Sequence, residues 1–184
     1  PYSERQGMLM MAEPIWQCYK AVAGDRKPHV VYMSPQGRTL TQAKCLELSR
    51  LDDLFILCGH YEGVDQRVLD KIVDEEISLG DFVLTGGELP AVVLVDGIVR
   101  MLDGTLGHSQ SHEDESHFDG LLEYPQYTRP EVWQGMAVPQ VLISGHRENI
   151  MKWRRYKKLE QTYKKRPELL KNAKLDLVDK ANLS

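Results

Sequence analysis

The sequence has few cysteines and no long apolar run. Cys18, Cys45 and Cys58 are odd in number and form no CxxC pair, so neither a disulfide framework nor a zinc knuckle is expected. The longest apolar stretches, residues 54–58 and 91–95, fall far short of the roughly 20 residues that cross a bilayer. We therefore expect a cytoplasmic protein that does not enter a membrane.

Two nucleotide-binding signatures and a leader peptide are also missing. The chain contains neither GxGxxG nor GxxxxGK[ST], which argues against a standard dinucleotide fold and a P-loop. The first residue is Pro1 rather than Met, so we expect a truncated chain, and no charged-then-apolar leader follows it. With 184 residues, 42% hydrophobic and 27% charged, it fits one globular domain plus a small second one.

Short apolar runs and helical segments alternate along the first hundred residues. Residues 29–33 and 54–58 are nearly continuous apolar runs followed by glycine turns, which predicts buried parallel strands. Residues 81–84 and 141–143 are weaker strand candidates. Helical spacing is found in residues 41–50, 64–73, 89–102 and 148–163, with a last short helix after Pro167. This order predicts an α/β fold that binds ligands at the carboxyl ends of its strands.

Positive charge is concentrated near the end of the chain. Residues 147–174 hold 11 Lys and Arg against three Glu, a net charge of +8, although the whole chain carries −4. Trp153, Tyr156 and Tyr163 are interleaved with these cations. The pattern is typical of a helix that faces nucleic-acid phosphates; a solvated amphipathic helix is the alternative.

Three glycine-bearing loops follow the apolar runs, at residues 34–37, 59–63 and 77–90. Each leaves backbone bare for a ligand to approach, although one such loop alone is an ordinary turn. Three in one small domain indicate a pocket.

Residues 103–119 form a polar segment without periodicity, which indicates a linker or a functional loop. Three histidines in it, His108, His112 and His117, lie beside carboxylates. They leave open a zinc site, but no Cys joins them. The acidic residues 113–115 alone would indicate a solvated loop.

Several strings resemble one known family. They are YMSPQG at 32–37, CGHYEGVDQRV at 58–68, DEEISLGDFVLTGGELPA at 74–91, GLLEYPQYTRP at 120–130, and the run 138–170. In this order they are similar to the bacterial tRNA (guanine-N1)-methyltransferases, which methylate guanosine 37 beside the anticodon. The resemblance covers nearly the whole chain.

The resemblance implies a SPOUT-type α/β fold: a parallel sheet with a trefoil knot on its C-terminal side and a small C-terminal helical domain. Periodicity does not predict a knot, because threaded chains are almost absent from known folds. The implied domains are a knotted catalytic domain at 1–106 that lacks its N-terminal part, a linker at 107–119 and a tRNA-binding domain at 120–184. The family forms homodimers with an active site at each subunit interface.

The resemblance also implies S-adenosylmethionine (AdoMet), bound in a bent form within the knot. By matching position, its contacts would come from all three glycine loops. These residues are Tyr32, Met33, Ser34, Pro35, Gly59, Tyr61, Glu62, Gly63, Leu79, Gly80, Asp81, Phe82, Val83, Leu84, Gly86 and Gly87. The family is also associated with Mg²⁺, for which no ligand can be assigned here.

Methylation of guanine N1 requires removal of the N1 proton, which a carboxylate base can do while a cation stabilises charge on O6. By resemblance, Arg100 is that cation. The family's usual aspartate base is matched by Glu115, whose stem is one methylene longer; Asp114, one position earlier, is the other candidate.

The basic C-terminal segment would bind the anticodon stem-loop through its phosphates. The expected contacts are Arg147, Lys152, Arg154, Arg155, Lys157 and Lys158, with Arg129 either helping or forming a structural ion pair. The family's glycine-rich start is replaced by polar residues at 3–6. Two alternatives to the expected activity are methylation of another RNA base and a catalytically inactive RNA-binding module.

Overall fold

The computed structural model describes residues 7–102, 116, 117 and 119–183. The chain divides into an amino-terminal unit, Pro1–Thr105, and a carboxy-terminal unit, Leu106–Ser184. Among the described helices, none combines the length and apolar character needed to span a membrane.

A three-stranded parallel sheet forms the centre of the amino-terminal unit. Its strands are β1 (His29–Thr39), β2 (Leu54–Cys58) and β3 (Glu75–Ser78), in the order β2-β1-β3. β1 pairs with β2 from His29 opposite Leu54 to Met33 opposite Cys58. The strands predicted at 29–33 and 54–58 are confirmed, and β1 continues six residues further.

The register of β1 against β3 shifts in the middle of the strand. Ile77 of β3 lies opposite Met33 before the shift and opposite Arg38 after it. Residues 34–37 therefore bulge out of the ladder. Bulges of this kind redirect side chains and are common beside functional sites.

Within residues 7–102, four helices accompany the sheet. They are α1 (Ala12–Ala23), α2 (Gln42–Leu48), α3 (Gln66–Ile72) and α4 (Glu88–Val99). The last three confirm the predicted helices with shorter bounds, and Pro90 lies in the first turn of α4 as expected. Side-chain caps begin two of them, because Thr41 accepts a hydrogen bond from the Lys44 N–H and Asp65 accepts one from Arg67.

The sheet packs apolar side chains on both faces, as alternation along a strand requires. On one face Val31 and Met33 pack with residues of α4 such as Leu94. On the other, Tyr32 and Leu57 pack against the cluster of α1 and α3. The amino-terminal unit is thus a mixed α/β layer structure, which confirms the predicted class.

The prediction of a strand at residues 81–84 is wrong. The third strand is β3, and residues 81–84 form a bend in which Phe82 and Val83 are exposed. The apolar pattern did not predict β3 because this strand begins with two glutamates. Glu75 is accommodated there by His29 Nε2 at 2.8 Å and Lys44 Nζ at 3.0 Å.

The carboxy-terminal unit is built from short elements around one long helix. The elements are β4 (Val132–Trp133), β5 (Met136–Ala137), α5 (Gln140–Ile143), α6 (Arg147–Lys165), a 3₁₀ helix (Pro167–Lys171) and α7 (Leu177–Leu183). Residues 141–143 are helical, so their predicted strand is wrong. The helix predicted at 148–163 is confirmed as α6. Gln134 and Gly135 join β4 to β5, both with positive φ, which suits the tight turn of a hairpin.

Candidate active site

A cavity of about 370 Å³ lies in the amino-terminal unit. Its walls come from the bulge of β1, from the loop after β2 and from the segment between β3 and α4. These are the carboxyl ends of parallel strands, where open α/β sheets bind ligands.

The cavity gathers most of the residues expected to contact AdoMet. Fourteen of the sixteen line it, namely Tyr32, Met33, Ser34, Pro35, Gly59, Tyr61, Glu62, Gly63, Leu79, Phe82, Val83, Leu84, Gly86 and Gly87. Gly80 and Asp81 are not among its lining residues. They belong to a turn in which the Ser78 hydroxyl donates to the Gly80 carbonyl and accepts from the Gly80 N–H.

Two glycines allow the loops of the cavity to approach each other closely. A Cβ on Gly87 would lie 2.7 Å from Cα of Cys58, and one on Gly59 would lie 2.8 Å from the Tyr32 hydroxyl. The Gly87 N–H donates to the Gly59 carbonyl at 2.9 Å. Both positions therefore require glycine, because a side chain would displace the Cys58 backbone at one and the Tyr32 ring at the other.

Tyr32 lines the cavity, and two groups beside it, Glu88 and Cys58, also have shifted pKa values. Burial, and then the charge of Glu76, raise the pKa of Tyr32, so its phenol stays neutral and can donate a hydrogen bond. The pKa of Glu88 is lowered by its own backbone N–H and by a hydrogen bond with His60. Burial raises the pKa of the Cys58 thiol, which disfavours the thiolate.

The sequence prediction missed ten residues of the cavity. They are Gln36, His60, Val64, Gln66, Leu69, Glu76, Ile77, Ser78, Thr85 and Pro90. Several could have been found by adjacency, because His60 lies between two predicted contacts in one short loop. Glu76 gave no such signal, since it enters the site through the unpredicted strand β3.

The catalytic candidates fall largely outside the described residues. Glu115 and Asp114 lie outside them, as do His108 and His112 of the considered zinc site. Arg100 lies within the described residues. It is half-buried directly after α4, and its backbone N–H donates to the Asp96 carbonyl. In the described part of the chain no three His, Cys, Asp or Glu side chains cluster to hold a metal.

Two of the expected RNA contacts, Arg155 and Lys158, form ion pairs within the carboxy-terminal unit. Lys158 is 5% exposed and lies 3.4 Å from Asp119 Oδ2. Arg155 binds the buried carboxylate of Asp179 at 2.5 Å and Asp119 at 2.9 Å. Both side chains therefore stabilise the carboxy-terminal unit, and their contact with RNA stays a prediction.

The remaining predicted cations differ in availability. Lys157 is paired with Glu160 at 2.5 Å, and the Arg154 guanidinium lies over the Tyr124 ring, 4.8 Å from its centroid. The exposed cations Arg129, Arg147 and Lys152 have no ion pair with any other described residue. These three are the most accessible of the predicted set.

Comparison with known proteins is decisive for the family. The profile of the family described as tRNA (Guanine-1)-methyltransferase TrmD matches residues 1–172. The chain is 54% identical over 171 residues to the tRNA (guanine-N(1)-)-methyltransferase of Ruminiclostridium cellulolyticum, which covers 92% of this chain and 73% of that protein. It is also 54% identical over 180 residues to the protein of the same name from Clostridium botulinum Loch Maree, covering 98% and 75% respectively.

A third relative agrees. The tRNA (guanine-N(1)-)-methyltransferase of Lachnospira eligens is 52% identical over 171 residues, which covers 92% of this chain and 72% of the relative. The profile covers nearly the whole chain, and three of the five strings that carry the resemblance contribute residues to the cavity of the amino-terminal unit. The chain belongs to the tRNA (guanine-1)-methyltransferase family.

Proposed function

We propose that this chain transfers a methyl group from AdoMet to N1 of guanosine 37 in tRNA. Family membership supports a guanine-N1 methyltransferase acting on tRNA. One observation carries the proposal furthest: fourteen residues expected to contact AdoMet, distant in sequence, line one cavity at the carboxyl ends of the strands.

The residues of this cavity fit AdoMet in kind. An adenosine needs apolar walls and a few backbone hydrogen bonds, and here Leu79 and Leu84 accompany the bare backbone of Gly59, Gly86 and Gly87. The carboxylates Glu62 and Glu76 also line the cavity, and carboxylates are suitable partners for a cationic ligand. When bound, AdoMet supplies an electrophilic methyl group on a cationic sulfur.

The chain's own contribution is to prepare the guanine. We propose Glu115 as the base that takes the N1 proton, with Asp114 as the second candidate, and Arg100 as the cation that stabilises negative charge on O6. A donor that leaves as a neutral thioether needs no protonation. Catalysis by these residues therefore concerns the acceptor base.

Family membership also supports a set of architectural proposals. We propose a SPOUT-type trefoil knot in a catalytic domain at 1–106, a linker at 107–119 that carries the base, and a helical tRNA-binding domain at 120–184. The protein would act in the cytoplasm as a homodimer with an active site at each subunit interface. Exposed Arg129, Arg147 and Lys152 would contact the anticodon stem-loop, assisted by Arg154 and Lys157, with Mg²⁺ as a further cofactor.

The decisive experiment measures transfer of labelled methyl from AdoMet to tRNA transcripts with G or A at position 37. We expect label on the G transcript alone. Glu115→Gln should reduce the rate by about 10²- to 10⁴-fold, the usual contribution of a general base, whereas Asp114→Asn should leave most of it. Loss with Asp114→Asn instead would move the base by one position.

AdoMet binding, measured by calorimetry without RNA, is the control for both variants. Glu115→Gln should bind AdoMet as the wild type does, which would assign its defect to the chemical step. A folded wild-type protein that labels neither transcript would contradict the proposal. The inactive RNA-binding module would then be the better description.

A further inference from the structure

A second cavity, of about 570 Å³, lies in the carboxy-terminal unit. It is lined by the segment 124–129, by Glu131 and Val138, by Leu142 and Ile143 of α5, and by Ile150, Trp153 and Arg154 of α6. No residue is shared with the cavity of the amino-terminal unit. Its volume falls within the range of small-ligand sites.

Aromatic rings form part of the wall of this cavity. The Tyr127 and Trp153 rings lie 6.3 Å apart between centroids and are tilted by 52°, so they do not cover each other face to face. Tyr127 is 46% exposed. Proteins that bind single-stranded nucleic acid present such rings as platforms on which bases stack.

Cationic groups outnumber acids in the same wall. Arg129 and Arg154 line the cavity against the single carboxylate of Glu131. The Nε atom of Arg154 is buried and has no hydrogen-bond partner among the described residues, although buried donors are nearly always paired. The guanidinium of Arg129 is exposed, so a ligand with acceptor oxygens or ring nitrogens would find a donor there.

We propose that this cavity binds one unstacked nucleotide of the tRNA anticodon loop. Its base would pack against Tyr127 and Trp153, and its acceptors would face Arg129 and Arg154. The exposed cations Arg147 and Lys152 of α6 belong to the same unit and would hold neighbouring phosphates. A purely apolar partner would instead leave the guanidinium groups desolvated and unpaired. The inference rests on the proposed function, because it takes tRNA as the substrate.

Coupled changes in protein and RNA test the proposal. Kd is measured by fluorescence anisotropy for anticodon stem-loops in which one loop nucleotide at a time is abasic, against the wild type and Tyr127→Leu. We expect Tyr127→Leu to weaken binding of the intact RNA by about 5- to 100-fold, the usual loss for one stacked base. For the abasic RNA that lacks the base bound in the cavity, wild type and variant should bind equally.

Trp133→Leu is the control. Trp133 is a 57% exposed tryptophan of β4 that does not line the cavity, so its loss should change Kd by less than about twofold. If Tyr127→Leu binds every RNA as the wild type does, or loses the same factor on every abasic RNA, the cavity holds no base. A change in sedimentation without a change in RNA binding would assign the cavity to protein association and also overturn the proposal.

Methyl transfer by the wild type to the matching tRNA transcripts separates the two proposals. If methyl is transferred but no abasic RNA abolishes the difference in Kd between wild type and Tyr127→Leu, only the nucleotide site is overturned. Absence of transfer in a folded protein would overturn the proposed function, whatever the coupling shows.

Discussion

The two units of this protein build their interiors from different residues. In the amino-terminal unit the fully buried side chains are aliphatic, such as Val31, Ile77 and Leu94. In the carboxy-terminal unit, Leu159 is buried together with Lys158 and Asp179. Charged side chains are thus part of the interior of the carboxy-terminal unit. A charged residue in its sequence therefore does not by itself indicate a surface position.

A buried charge costs free energy unless it is paired and hydrogen-bonded. Asp179 accepts hydrogen bonds from Arg155 and from the Asp176 N–H, and Thr162 accepts one from the Leu122 N–H while donating to the Lys158 carbonyl. Some of the cations that make the C-terminal segment strongly basic therefore hold the unit together. Net charge alone overstates the surface left for RNA.

The largest expected effect is in the amino-terminal unit, at Gly37. A Cβ there would lie 2.4 Å from the backbone carbonyl carbon of Glu76, so Gly37→Ala must move β1 away from β3. We expect a loss of about 3 kcal/mol or more in the free energy of unfolding. Urea denaturation followed by circular dichroism would measure it, and AdoMet affinity should fall because the rest of the bulge, residues 34–36, lines the cavity.

Gly135→Ala is the control. Gly135 lies in the turn between β4 and β5 with φ of 79° and has open space where a Cβ would be placed, so its substitution should cost only about 1 kcal/mol, for the positive φ. Equal losses at both positions would contradict the close packing of β1 on β3.

The second prediction concerns the ion pair inside the carboxy-terminal unit. Asp179→Asn removes the buried carboxylate from the Arg155 guanidinium, which is one-third exposed and keeps its pair with Asp119. We therefore expect a loss of about 2 kcal/mol, less than the breaking of a fully buried pair typically costs. Urea denaturation at neutral pH measures the loss. Glu168→Gln, at an exposed pair with Arg166, is the control and should change stability by less than about 1 kcal/mol.

The same pair predicts a pH dependence. Hydrogen bonds from Arg155 lower the pKa of Asp179 below its ordinary value, so the carboxylate's stabilisation is complete above the unfolded-state pKa. It is lost as pH falls through the lower folded-state pKa. Between about pH 4 and pH 2 the wild type should therefore lose more stability than Asp179→Asn. Parallel curves would contradict the assignment.

The smallest effect should separate surface cations from interior ones. Lys152→Gln removes an exposed charge, so it should weaken tRNA binding a few-fold and reduce the slope of log K against log salt by about 1. Lys158→Met, at a buried position, should lower stability but leave that slope unchanged. Binding titrations at several salt concentrations distinguish the two. A reduced slope for Lys158→Met would return Lys158 to the RNA surface.

Prediction from sequence succeeded where one residue type has one physical role. The apolar runs of β1 and β2 and the glycines of the three loops are of this kind, and they located the strands and the cavity. It failed for β3, whose Glu75 is stabilised by His29 and Lys44 from other elements. Periodicity cannot reveal such partners, because they are distant in sequence.

The amino-acid sequence by itself determined the family, the α/β class and most of the loop residues that line the cavity, because continuous motifs and glycine spacing are local properties. Tertiary structure alone decided which charges are available. Lys158 is buried and Arg155 is held in ion pairs because Asp119 and Asp179 fold against them, while Lys152 of the same helix is exposed. Burial depends on the partners that the fold brings together, and those partners are not neighbours in the chain.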